Sequence, residues 1–311
     1  GIDYKNDGPV IIAADDLVPS ETVQLDQTSV TAIVTTEGSD RSHTAIFART
    51  MGLPTIVAVG KNFTSKYEGL FAIVDGNSGK IYIDPDESTI TRFKEIKKTD
   101  DSQKSHLEEF RGKITVTRSG RKINLYANSG SLADIDLIKA SDAEGIGLFR
   151  SEYIFMQAHD YPTEDYQLDI YKNVLEQMEG KKVIIRTLDI GADKTAEYFM
   201  LKPEDNPAMG VRAIRLCLQN KAIFKTQLRA LYRASVYGNL SIMVPLITSV
   251  EEVLETKKII QEVKTELKQQ NLAFNDNVEF GIMIETPAAA LISDELAKVV
   301  DFFSIGTNDL T

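Results

Sequence analysis

The chain holds a single cysteine, Cys217, in 311 residues. That excludes an internal disulfide framework and fits a reducing compartment. Basic charge is also short: 35 Lys and Arg face 46 Asp and Glu, a net charge of −11. With no basic surplus to neutralise phosphates, the balance argues against a general nucleic-acid binder. No apolar run approaches the roughly 18 residues that a membrane span needs, and no signal peptide is visible. Membrane insertion is therefore not expected, and the cytoplasm is the expected compartment. A Gly-rich dinucleotide fingerprint is missing as well. What is there is ordinary for a globular protein, 42% hydrophobic and 26% charged residues, at a length that suits two domains.

One stretch organises the chain: Glu37-Gly38-Ser39-Asp40-Arg41-Ser42-His43-Thr44-Ala45-Ile46-Phe47-Ala48-Arg49. Gly38 admits backbone angles closed to other residues, and Ser42 is a good N-cap. Ala45, Ile46, Ala48 and Arg49 then follow at helical spacing until Gly52 and Pro54 stop them. His43 thus falls on the first turn, where free N–H groups and the positive helix end favour an anion. A histidine there can take a phosphoryl group on a ring nitrogen and have the new charge stabilised. The competing reading, open at this level, is an exposed histidine without a role.

Around this stretch, Val10–Ala14, Val30–Thr35, Pro54–Gly60 and Phe71–Gly76 read as strands. The last forms a hairpin with Ile81–Ile83 through Asn77-Ser78-Gly79-Lys80, and Ser20-Glu21-Thr22 begins a short helical segment. Residues 1–84 thereby form a small α/β domain presenting His43. Residues 85–112 read as a solvated linking helix, rich in Lys, Glu, Asp and Ser, with His106 on its surface and only sparse apolar positions such as Ile90, Phe93 and Leu107. Such a linker invites relative motion of the domains it joins.

From 113 to 311 one design repeats. A short apolar run ends in a polar residue and a helix follows. Ile123–Ala127 ends at Asn128, Gly145–Phe149 at Arg150, Val183–Ile185 at Arg186, and Ser241–Leu246 runs into Thr248. Phe280–Ile284 ends at Glu285, with Pro287 placed as a first helical residue, and Asp301–Ile305 leads to Asn308 and Asp309. Further helices are expected to about Met178, over Lys221–Tyr237 and to about Gln270. Strands alternating with helices imply a parallel, buried sheet. Five or more such units without a dinucleotide fingerprint point to a (β/α) barrel rather than a Rossmann sheet.

In a barrel the C-terminal strand ends form the mouth, so Arg150, Arg186, Glu285, Asn308 and Asp309 would converge there. Arginines beside two carboxylates suit a polyanionic substrate held by guanidinium forks and through a hard cation. Magnesium can use two carboxylates, here Glu285 and Asp309, together with phosphate oxygens. Ordinary rim salt bridges are the competing reading. Cys217 reads as a buried small apolar side chain.

Six segments carry a resemblance: Ser42-His43-Thr44-Ala45-Ile46-Phe47-Ala48-Arg49, Gly145 to Glu152, Arg186-Thr187-Leu188-Asp189-Ile190-Gly191-Ala192-Asp193-Lys194, Asn206 to Arg215, Gly281 to Ala288, and Phe303 to Thr311. In these, and in this order, the sequence resembles enzyme I of the bacterial phosphoenolpyruvate (PEP):sugar phosphotransferase system, the PEP–protein phosphotransferases. The resemblance implies an α/β fold: a swivelling phosphohistidine domain (1–84), a linker helix (85–112) and a (β/α)8 TIM-type PEP-binding barrel (113–311). It implies His43 as the phosphoryl acceptor, on Nε2, and HPr, the small phosphocarrier protein, as the next acceptor. Arg150, Arg186, Arg212, Asn308 and Asp309 would bind PEP, and Glu285 and Asp309 would hold Mg²⁺. A homodimer through the barrel is implied as well.

The pattern departs from the family at Ser39-Asp40-Arg41, where Gly, a basic residue and Thr are usual. The resemblance also implies an HPr-docking helical domain upstream, and a last PEP arginine and a proton-donating cysteine beyond Thr311, so the sequence reads as a fragment with an incomplete barrel. Two alternatives share these motifs: pyruvate phosphate dikinase or PEP synthase, which work with ATP, and a non-catalytic PEP-sensing paralogue.

Overall fold

The computed structural model describes residues 8–17, 29–39, 42, 44, 45, 48, 52–61, 63–191, 197–200, 204–206 and 210–311. The chain divides into two compact units, Gly1–Arg111 and Gly112–Thr311.

In the first unit, β1 (Val10–Ala14), β2 (Val30–Thr35) and β3 (Thr55–Ile56) form a parallel sheet in that order. Ile12, Val30 and Ile33 face a small core with Leu17 and Ala48. Ala48 is helical, as are Thr44 and Ala45, and all three lie in the connection between the parallel strands β2 and β3. The strand expected over Pro54–Gly60 is confined to Thr55–Ile56. Ala58, at φ 56°, turns the backbone out of the ladder. The N–H groups of Ala58, Val59 and Gly60 then donate to the carbonyls of Glu37, Thr35 and Thr36 at 3.0–3.2 Å. The hairpin is present as β4 (Ala72–Asp75) and β5 (Lys80–Ile83), its turn held by Asp75, which accepts from Asn77 N and Ser78 N. Helix Glu87–Glu108 is capped by Asp86, which accepts from Thr89 N, and it buries no residue. The segment begun at Ser20 lies outside the described residues.

The second unit is built on six parallel strands: β6 (Ala127–Ser129), β7 (Gly145–Arg150), β8 (Lys182–Arg186), β9 (Asn239–Val244), β10 (Glu279–Ile284) and β11 (Phe302–Ile305). They neighbour one another in chain order. The array has no switch of winding direction, which sets it apart from a doubly wound sheet. One expected strand is displaced: β6 starts at Ala127, not Ile123. Upstream, Leu125 N donates to the Glu144 carboxylate at 2.7 Å instead of to a strand, and Ile114, Val116, Ile123 and Leu125 are exposed.

The strands alternate with a period of two, interrupted in β7 by a bulge between Ile146 and Phe149. Ile146, Val183, Ile185, Leu240, Ile242, Ile282 and Ile284 face the helices in the main core. Ile184, Met243 and Met283, with Leu148 and Phe302, form a separate cluster on the other face. The three longest helices of this unit pack on the main core, and two of them have a capped start. Thr163 caps Glu164–Gln177 through Tyr166 N. Ser249 and Glu252 form a capping box for Val250–Gln269. Helix Lys221–Ala234 buries Phe224, Leu228 and Leu231 on one face.

Across this sheet Lys182 Nζ donates to Glu279, whose carboxylate also accepts from Ser241 Oγ. Lys182 first, and Ser241 after it, hold the Glu279 carboxyl below its usual pKa against the effect of burial. A depressed folded pKa contributes stability above the unfolded carboxylate pKa and loses it as pH falls through the folded value. Lys182→Met is therefore expected to lower the thermal midpoint at pH 7 and to lower it by less near pH 3, below the usual carboxylate range of about 4. Thermal unfolding of both proteins at the two pH values checks this.

Candidate active site

The period of two decides which strand-end residues share a face. Arg150, Arg186 and Glu285 each lie two residues beyond a member of the inner cluster, namely Leu148, Ile184 and Met283. They therefore emerge on the inner side, at the C-terminal ends of β7, β8 and β10. Register pairs Arg150 directly with Arg186.

Arg186 is almost wholly buried and is held by two carboxylates. Its Nη2 lies 2.5 Å from Glu152 Oε1 and 3.1 Å from Asp189 Oδ2, while Nη1 is 3.7 Å from Met283 Sδ. Its Nε has no hydrogen-bond partner among the described residues, and neither has the buried Thr187 hydroxyl beside it. Asp189 reaches on to Arg212, from Oδ1 to Nε at 3.1 Å and from Oδ2 to Nη2 at 3.4 Å. Burial opposes the charge of Arg212, but Asp189, followed by Glu285 and Asp309, outweighs it and raises its pKa.

Gly191 makes the seat for Arg212. Its φ is +138°, and a Cβ there would lie 2.6 Å from Arg212 Cβ and 2.7 Å from Cγ. These atoms sit too close to the backbone to swing away. Gly191→Ala is expected to cost about 1–3 kcal/mol through strain and displacement of Arg212. Chemical denaturation of the variant checks the value.

Glu285 is buried directly beyond the end of β10. Its Oε1 accepts from Leu246 N at 2.6 Å. Burial first, then the charges of Asp189 and Asp309, push its pKa up, against the Leu246 N–H and Arg186. Gly306 lets Glu285 and Asp309 approach: a Cβ there would meet Glu285 Oε2 at 3.1 Å and Asp309 Oδ2 at 3.3 Å. Asn308 and Asp309 are exposed on the short helix Thr307–Leu310. The structure thus brings Arg186, Arg212, Glu285 and Asp309 together, with Arg150 beside Arg186 and Asn308 next to Asp309 in the chain. No group of three potential metal-ligating side chains occurs among the described residues.

Residues that sequence reasoning did not assign hold this arrangement. Glu152 and Asp189 are the carboxylates of the arginine cluster. Behind them Gln227 Oε1 accepts from Leu188 N, and its Nε2 donates to Ser151 Oγ and Tyr171 OH. Ser151 Oγ in turn donates to the Arg186 carbonyl at 2.6 Å. One signal was available: Gln227 interrupts the apolar spacing of Phe224, Leu228 and Leu231, where an uncharged polar residue needs buried partners. Cys217 is buried as expected, and burial pushes its thiol pKa up.

In the first unit His43, Asp40 and Arg41 lie outside the described residues. Their neighbours are well anchored. Ser42 Oγ accepts from Ala45 N at 3.3 Å, the capping bond expected of that serine. Thr44 is fully buried; its hydroxyl donates to Asp16 Oδ1 at 2.8 Å and accepts from Leu17 N at 3.2 Å. Gly38 has φ +99°. Lys194 and the segment 207–209 of the other motifs also lie outside the described residues.

Against known proteins, the PEP-binding domain of PEP-utilising enzymes matches residues 104–311, and the mobile domain of PEP-utilising enzymes matches residues 6–79. Among curated proteins, the phosphoenolpyruvate-protein phosphotransferase of Bacillus subtilis (strain 168) is 45% identical over 301 residues, 97% of this chain and 53% of that protein. That of Listeria innocua is 43% identical over 304 residues, 98% and 53% of the two chains. That of Haemophilus influenzae is 43% identical over 301 residues, 97% and 52%. The chain spans about half the length of the curated relatives it matches.

Proposed function

The chain belongs to the PEP-utilising enzymes, and from that membership we propose that it serves a PEP–protein phosphotransferase of the enzyme I kind. The observation that carries this reading is the cluster of Arg186, Arg212, Glu285 and Asp309 around strand ends that lie within the PEP-binding match. In this reading the six-strand array is part of an eight-stranded barrel, and the protein works as a homodimer through its second unit.

The donor set fits a hard cation. Arg150, Arg186 and Arg212 stand against Glu152, Asp189, Glu285 and Asp309, so these side chains alone offer no positive surplus to a polyanion. Glu285 and Asp309 present hard oxygen atoms on either side of Gly306. Two carboxylates completed by substrate oxygens and water suit Mg²⁺. When bound there, the ion would neutralise charge on the phosphoryl group. The arginines hold and orient PEP, with Asn308 and the Asp309 backbone at the phosphate. The enol-phosphate P–O bond breaks, a P–N bond forms at His43 Nε2, and the departing enolate takes up a proton to become pyruvate. His43 then passes the phosphoryl group to HPr.

The test is labelling of the full-length protein with ³²P-PEP and Mg²⁺. The expected label is acid-labile, base-stable, independent of ATP, located on the peptide that contains His43, and chased onto HPr. Label that forms from PEP but passes to an adenine nucleotide and not to HPr would favour a dikinase or synthase. Bound PEP without any label would overturn the reading and leave a sensor.

A further inference from the structure

Arg186 and Arg212 stand on separate segments, one at the end of β8 and one ahead of helix Ile214–Gln219. Two guanidinium groups this close repel each other. Among the described residues, the carboxylate that bonds to both is that of Asp189. Asp189 engages the Nε/Nη2 edge of Arg212 with both oxygens and Nη2 of Arg186 with one. The contact leaves Nη1 of Arg212 outside it.

Asp189 is itself fixed. Its side chain is 4% exposed. The backbone before it is tied down where Leu188 N donates to Gln227 Oε1 at 2.9 Å and Ser151 Oγ donates to the Arg186 carbonyl. The backbone after it leads to Gly191, on which the Arg212 side chain rests. From this geometry we infer that Asp189 is a positioning residue, which sets the spacing and orientation of Arg186 and Arg212 as one anion-binding pair. The inference rests on the PEP reading above.

The consequence for catalysis is specific. A pair fixed before the substrate arrives meets the transition state without reorganising. If Asp189 loses its charge, the mouth becomes more attractive to an anion in the ground state, while the two arginines lose their common anchor. The rate of phosphoryl transfer falls and the apparent affinity for PEP does not.

The experiment is single-turnover labelling of the full-length protein by ³²P-PEP with Mg²⁺, fitted for rate constant and amplitude separately. Asp189→Asn is expected to reach the wild-type amplitude with a rate constant lower by about tenfold or more and half-saturation in PEP unchanged or lower. Loss of folded protein alone would reduce the amplitude and leave the rate constant intact, which would overturn the inference. Asp189→Glu keeps the charge and moves the oxygens outward by one methylene, and it decides the matter if the Asn variant does not fold. A slowed rate constant for the Glu variant supports positioning, and a wild-type rate constant overturns it. Wild-type protein that fails to label removes the parent reading instead, so the two failures are distinguishable.

Discussion

His43→Ala is expected to abolish labelling by PEP and to leave the fold untouched. Its neighbours carry the local structure: Ser42 caps the turn through Ala45 N, and Thr44 pins it to Asp16 and Leu17. These bonds belong to Ser42 and Thr44, and an exchange at residue 43 that keeps them should change stability by no more than about 0.5 kcal/mol. Thr44→Val supplies the contrast. It leaves Asp16 and Leu17 without their buried hydroxyl and should cost about 1–3 kcal/mol. Thermal unfolding combined with labelling amplitude separates the two. Full labelling of His43→Ala would remove the histidine from the mechanism, and a large loss of stability would make its role structural.

Arg186→Leu should be among the most damaging substitutions in the second unit. Glu152 and Asp189 are 0% and 4% exposed at their side chains, and removing the cation leaves both beside an apolar group. Breaking a buried pair in this way costs about 3–5 kcal/mol. Stability and function come apart in the double variant Arg186→Leu/Glu152→Leu. Replacing a buried pair by apolar side chains is often neutral, so the double variant should regain at least half of the lost stability while PEP-dependent labelling stays absent. Urea unfolding of the single and double variants checks the first part. A single variant within 1 kcal/mol of wild type would mean that water reaches the carboxylates.

The same cluster marks the limit of what the sequence makes legible. β-Branched runs that end in Arg150, Arg186 or Glu285 announce strands with functional tips, because a buried parallel strand has few other uses for a terminal charge. The face on which those tips emerge also follows from alternation. Asp189 and Glu152 were visible as charges but not as partners, since Asp189 lies in the loop beyond β8 and Glu152 opens the six-residue helix Glu152–Gln157, too short to show a period. Pro54–Gly60 looked uniformly strand-like, yet Ala58 takes a left-handed conformation so that its neighbours can bond to the loop leading to Ser42. The apolar run Ile123–Ala127 misled in the same way: its side chains are partly or fully exposed, and its pairing begins only at Ala127.

Helix Glu87–Glu108 and helix Val250–Gln269 have similar lengths, 22 and 20 residues, but they are kept in place by different means. The second buries Val253, Ile259, Ile260, Val263 and Leu267 and can open only when the core opens. The first buries nothing. Its order rests on one capping carboxylate, on the ring contact of Phe93 with Tyr82 near its start, on backbone bonds that face water and on pairs such as Lys97 with Asp101, which are worth little in salt. Its amides can therefore exchange with solvent by local fraying, turn by turn, while the rest of the molecule stays folded. Beyond Phe93 the free energy of that segment is set by the helix–coil balance of its own residues, and temperature and ionic strength tune it without touching either core.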